Sequence, residues 1–126
     1  MSAEITNLAN SLIKTVSEGT GVNLRFDRES VEWVDGYIER IRPGVEESSI
    51  EGLSNSIGAF LGESIIAKYG GKWRQSEEGA WGIFFDEKNA VFPFSKVEKQ
   101  IVNGREDSIL GLYNAIPIVF RKSHDA

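Results

Sequence analysis

Between Ser48 and Trp73 the chain reads SSIEGLSNSIGAFLGESIIAKYGGKW, an apolar stretch with glycines inside it and a glycine pair at its end. Leu53, Ile57, Phe60, Leu61, Ile65, Ile66 and Tyr69 recur every three or four residues, the period of a helix. Ala59 and Ala67 occupy much of the remaining circumference, so that only Ser64 and Lys68 form a narrow polar strip near Ile57. A helix apolar nearly all round is buried on several sides. Ser48 followed by Glu51 has the spacing of a capping box. Gly70 and Gly71 supply the left-handed stop. The spacing thus predicts a central buried helix over 48–71, around which the rest of the chain must pack.

Gly58 and Gly62 lie four apart and share one face of this helix. Each interior glycine costs roughly 0.5–1 kcal/mol of helix stability relative to alanine. A pair on one stripe therefore predicts that a backbone or a ring approaches closely. In a bilayer the same spacing would read as a helix-dimer motif, but Glu51, Glu63 and Lys68 break the apolar run far below the roughly 20 residues needed to span. Close packing inside a soluble core is the expected use.

At 126 residues the chain is long enough for one domain with a proper core. It has no cysteine, which removes disulfides, thiol nucleophiles and thiolate metal sites together. The start, MSAEITNLANSLIKT, lacks the basic and apolar regions of a signal peptide, and a cytoplasmic protein without a membrane span is expected. The net charge is −5, from 14 basic and 19 acidic residues. Acids outnumber bases nine to five up to Ser48 and six to four from Ser49 to Pro93. That balance argues against nucleic acid, which selects a basic stripe, and suits a soluble domain or one that meets a basic partner.

Along the chain, Ile5, Leu8, Leu12, Ile13 and Val16 mark an amphipathic helix expected to end before Gly19 and Gly21. A second helix follows Asp27, a good N-cap, with Val31, Trp33, Val34, Tyr37, Ile38 and Ile41 in helical spacing until Pro43-Gly44. After Gly71 the period changes. Lys72 to Gln75, Trp81 to Phe85 and Ala90 to Phe92 are short, apolar and aromatic, separated by the turn-like SEEG and DEKN. They predict a three-stranded antiparallel meander with Trp81, Ile83 and Phe85 on one face and Gly82 and Phe84 on the other, closed by Pro93. Ser95 with Glu98 forms a second capping-box spacing, in a helix ended by Asn103-Gly104. Asp107 is expected to cap a last helix that stops at Pro117, with Ile118 to Phe120 extended and RKSHDA a polar tail. The expected architecture is α+β over 1–126: two N-terminal helices (1–47), the central helix (48–71), the sheet (72–93), C-terminal helices (94–120) and the tail (121–126).

The strings IGAFLGESIIAKYGGKW (Ile57 to Trp73), GIFF (Gly82 to Phe85) and NAVFPFSKVEKQIVNGREDSILGLYNAI (Asn89 to Ile116) resemble a family of bacterial conserved domains of unknown function. Its recurrent pattern is a helical GAxLGE, a YGGxW helix exit and an FPFxKV stretch. The resemblance covers about the last two thirds of the chain and implies a small α+β domain of bacterial type. It brings no activity and no functional residues with it.

Candidate sites are weighed on chemistry alone. Glu63, between Ala59 and Ala67 on the central helix, is placed for partial burial, and a desolvated carboxylate there is suited to proton transfer. An ion pair or emergence at the helix edge is the plainer expectation for it. Trp73, Arg74 and Trp81 fall on adjacent strands, and tryptophan and arginine anchor interfaces, although indoles also fill the space between a sheet and a helix. Phe92 to Phe94, next to Lys96, form either an exposed apolar ledge or a strand exit docked on the core. His124, the single histidine, lies in the tail, where the fixed geometry of a general base is not expected. The acid pairs Glu46-Glu47, Glu77-Glu78 and Asp86-Glu87 lack the spacing of a calcium loop and read as solvated turns. No GxGxxG or P-loop pattern follows a strand. No catalytic set, cofactor or metal is expected. The leading expectation is a non-enzymatic module that binds a protein partner, as an immunity or accessory factor. A second is a small-molecule binder or carboxylate-dependent enzyme using Glu63, and a third is a structural domain whose partner is its own copy. The oligomeric state stays open.

Overall fold

The structure, a computed structural model, describes residues 2–120, so that the expected tail and His124 lie outside the described residues. Within them the chain is α+β. The order is α1 (Ser2–Thr20), α2 (Arg28–Ile41), α3 (Glu47–Tyr69), β1 (Lys72–Gln75), β2 (Trp81–Phe84), β3 (Ala90–Val91), α4 (Pro93–Asn103) and α5 (Ile109–Val119). Helix α3 is the predicted centre and packs chiefly against α1 and α4, while α2 packs against α5. Every residue from Ile57 to Gly62 is buried. Ile57, Phe60, Leu61 and Ile65 have no exposed surface, and they meet Ile5 and Ala9 of α1, Val31, Val34 and Ile38 of α2 and Val97 of α4 in one core.

The glycine stripe does what its spacing predicts. A Cβ built on Gly58 would lie 2.6 Å from Phe94 Cδ1 and 2.9 Å from Phe94 Cα; one on Gly62 would lie 2.1 Å from Trp73 Cζ2. The two rings that fill the stripe stack on each other, with centroids 5.4 Å apart. The strands form the predicted meander in the order β1-β2-β3, antiparallel throughout. Trp73 pairs with Ile83 and Ile83 with Val91. This inner face lies on the C-terminal half of α3, since Ile83 is fully buried and approaches both Gly62 and Gly71.

Helix ends depart from expectation in ways that backbone chemistry explains. Helix α1 runs through Gly19 to Thr20 and ends at Gly21, whose φ of 77° is the left-handed stop. Asp27 caps α2 as predicted, accepting from Ser30 N at 2.9 Å. Helix α3 begins one residue before Ser48, with Glu46 in the cap position and no side-chain cap, so the Ser48–Glu51 box does not form. Ser64 is not part of an exposed strip but fully buried, its hydroxyl donating to Phe60 O at 2.9 Å. Such back-bonding satisfies a buried serine without a tertiary partner.

Pro93 does not merely close β3; it opens α4 at the first helical position, where its fixed φ fits and its missing N–H is not needed. The Ser95–Glu98 box is displaced accordingly, and β3 stops at Val91, short of Phe92. Ser108, not Asp107, caps α5 by accepting from Gly111 N at 3.1 Å. Asp107 sits in the preceding 3-10 turn Arg105–Asp107. Helix α5 also continues through Pro117 to Val119, so Ile118 and Val119 are not extended. Pro117 lies in the last turn, where one absent donor is tolerable, and Phe120 N closes that turn on Ile116 O at 3.1 Å. The Phe120 ring is anchored on Phe85, with centroids 5.2 Å apart.

Candidate functional site

The start of α4 and the N-terminal half of α3, with β3 and the β1–β2 turn, surround an open groove of about 1280 Å³ to which α1 also contributes. Its apolar lining includes Ile5, Leu8, Ile50, Trp81, Val91, Phe92 and Phe94. Of these Ile5 and Val91 are buried, and Leu8 keeps 38% of its surface exposed although it is a leucine. The lining is apolar because it draws on the α1 stripe, the first turns of α3, the sheet and the start of α4.

The groove's edge is charged. Glu4, Glu47, Glu51, Glu78 and Glu98 line it, against Lys96 and Lys99. The lysines do not balance it. Lys96 Nζ is 3.4 Å from Asp107 Oδ1, and Asp107 Oδ2 accepts from Asn103 Nδ2 at 2.9 Å. The Asn103 hydrogen bond, aided by Lys96 and Lys99, holds the Asp107 carboxyl below the usual carboxylate range. The lowered value carries a sign. Stability from this contact is complete above the ordinary carboxylate pKa and is lost as pH falls through the lowered one. In Asp107→Asn that acid-side loss should be missing, with the wild-type and variant urea midpoints converging as the pH is lowered; parallel curves would disprove the assignment.

One polar group of the groove is unmet. Ser54, on α3, is 5% exposed and lines the groove, and its Oγ has no hydrogen-bond partner in the described structure. A buried hydroxyl left so costs on the order of 1–3 kcal/mol.

The five residues singled out in the sequence are dispersed. Trp81 and Lys96 line the groove. Trp73 lies against Gly62 on the inner sheet face, half-buried, with a buried Nε1 that finds no acceptor among the described residues. It meets the groove only through the Phe94 ring. Arg74 is on the opposite sheet face, its guanidinium carbon 4.8 Å from the Phe84 centroid. Glu63 lies outside the groove and accepts from Thr6 Oγ1 at 2.6 Å, so its carboxylate is taken by α1 rather than by a lysine or arginine. In the FPF segment Pro93 is buried, Phe94 docks on α3, and Phe92 packs on Gly82 and edge-on to Phe84.

Sequence reasoning missed Glu4, Leu8, Ile50, Glu51, Ser54 and Glu98 as groove residues. Glu47 and Glu78 belong to acid pairs that read as solvated turns. No local pattern marks them, because the groove exists only once α1, α3, β3 and α4 are assembled. Among the described residues no group of three or more histidine or acidic side chains is arranged to hold a metal, and no helix is long and apolar enough to cross a membrane. Compared with known proteins, the chain matches no family model, no curated protein and no solved structure.

Proposed function

We propose that the chain is a non-enzymatic protein-interaction module, acting as an accessory or immunity factor in a bacterial cytoplasm, and that the groove between α3, α4 and the sheet is its contact surface. The observation that carries the reading is the combination of an apolar lining with a polar edge in an opening of about 1280 Å³. Small-molecule pockets run to roughly 300–1,000 Å³ and enclose their ligands. This one is wider and open, with half-buried Trp81 and Phe94 available as contact anchors. The alternative built on Glu63 has less support, since that carboxylate is engaged by Thr6 and lies outside the groove lining.

Leu8→Arg places a charge on the groove lining at a residue already 38% exposed, so the fold should survive. Affinity capture from the host lysate should then retain one partner on the wild-type chain and lose it on the variant. A wild-type chain that retains nothing at micromolar concentration and sediments as an inert monomer would remove the reading. Placement of the gene beside a toxin gene would favour the immunity form, and a metabolic operon would count against it.

A further inference from the structure

We infer that the groove receives a cationic amphipathic segment of a partner polypeptide, its apolar side chains on the lining and its lysines or arginines over the glutamate edge. The inference rests on the binding reading above and names the chemistry of the occupant. Five glutamates against two lysines leave the groove acidic, and one of those lysines is already held by Asp107. The imbalance is local. The outer face of the sheet, where Arg74 pairs with Gly82 and Lys72 with Phe84, carries both cations of β1 beside Phe84. The groove thus concentrates part of the chain's overall charge of −5 on an aromatic-lined surface.

An anionic edge repels phosphate backbones and anionic lipid surfaces, and it attracts ammonium and guanidinium groups. The apolar lining supplies the affinity that exposed ion pairs do not, while the glutamates set orientation and encounter rate. Ser54 lies beneath this lining, its hydroxyl oxygen buried and without a hydrogen-bond partner among the described residues. A simple polycation would use the edge but leave the apolar lining uncovered.

The test is selection of peptides from an unbiased displayed library against the full chain, followed by calorimetric titration of the enriched peptides. Wild type is compared with Glu51→Lys/Glu98→Lys, Leu8→Arg and the outer-face control Lys72→Glu/Arg74→Glu, with circular dichroism verifying each fold. Glu51 and Glu98 are exposed, so their reversal leaves packing intact. Enriched peptides should alternate basic and apolar residues, and their affinity should fall about tenfold in the double reversal and in Leu8→Arg. The outer-face control should leave binding unchanged. Neutral or acidic peptides that are lost on Leu8→Arg but indifferent to the double reversal would overturn the cationic occupant and leave the interaction reading standing. Spermine binding as tightly as the peptides would overturn the amphipathic requirement. Absence of any enriched peptide, or enrichment indifferent to every groove variant, would overturn both.

Discussion

Gly62→Ala is expected to destabilise the protein by about 3 kcal/mol, at the upper end for overpacking a well-filled core. No other glycine meets a neighbour so closely: an added methyl would lie 2.1 and 2.2 Å from two carbons of the Trp73 indole and 3.2 Å from Ile83 Cδ1. The indole cannot swing aside, because it is stacked on Phe94 and its strand is paired to β2. Two controls separate this contact from helix propensity. Gly52, on the same helix, is exposed and a methyl there would meet nothing within 4 Å, so Gly52→Ala should stabilise by roughly 0.5–1 kcal/mol. In a Trp73→Leu background the obstructing ring is gone, and Gly62→Ala should become neutral or favourable. Urea unfolding of the four proteins of that cycle gives the coupling directly. A Gly62→Ala cost that persists in the Trp73→Leu background would show that the ring is not its cause. Gly58 should behave differently, because its nearest neighbours include the Phe94 Cα at 2.9 Å. Trimming the Phe94 side chain should therefore rescue Gly58→Ala only in part.

That pair of glycines shows which features are legible in the sequence. Period, glycine placement and turn composition are local signals, and they locate α3, the close approach on its Gly58–Gly62 stripe, the Asp27 cap and the meander. Competition between neighbouring local signals is harder to resolve. Ser48 and Ser95 each have a favourable glutamate three residues on, yet α3 starts at Glu47 and α4 starts at Pro93. A proline at the first helical position fixes the helix start more firmly than an optional side-chain bond two residues later. Pro117 teaches the converse, since a proline in the last turn, followed by a ring that can dock, does not end the helix.

Buried polar residues are invisible for a different reason. Asp35 is 4% exposed and Gln100 has no exposed surface, though hydropathy assigns both to water. Their burial depends on partners far along the chain. Asp35 accepts from the Ser108 hydroxyl and, at 3.1 Å, from Leu110 N. Gln100 Oε1 accepts from Ile109 N at 2.8 Å, and its Nε2 donates to Glu39 at 3.0 Å. The only trace in the sequence is position: Asp35 follows Val31 by four and Gln100 follows Val97 by three, each on a stripe that is otherwise apolar. The groove has the same character, as its glutamates come from four separate segments and acquire meaning only together.

The polar junction carries the second large effect. Ile109 N, Leu110 N and Gly111 N are the first donors of α5 and have no partners within the helix. Gln100, Asp35 and Ser108 respectively take them up, which ties α5 to α4 and α2 at its N-terminus. Arg42 strengthens the same corner by donating to Ile101 O at 3.2 Å and Val102 O at 3.1 Å, with its guanidinium against Gly104. Asp35→Ala removes two hydrogen bonds to a carboxylate and its charge from the positive end of α5, leaving the part-buried Leu110 N–H without its acceptor. A loss of about 3 kcal/mol is expected, or a fall of roughly 10 °C in melting temperature. Gln100→Leu, which strands Ile109 N in the same way, should cost about 2 kcal/mol. Because both changes loosen one helix end, the double variant should lose less than the sum of the two. Hydrogen exchange at Ile109 and Leu110 provides the local readout: protection there should fall in both variants while the Ile57–Ile65 amides of α3 stay protected below the global unfolding limit. Additive losses with unchanged exchange at the α5 N-terminus would mean that Asp35 and Gln100 act separately, and that the junction is not the unit that holds α5 in place.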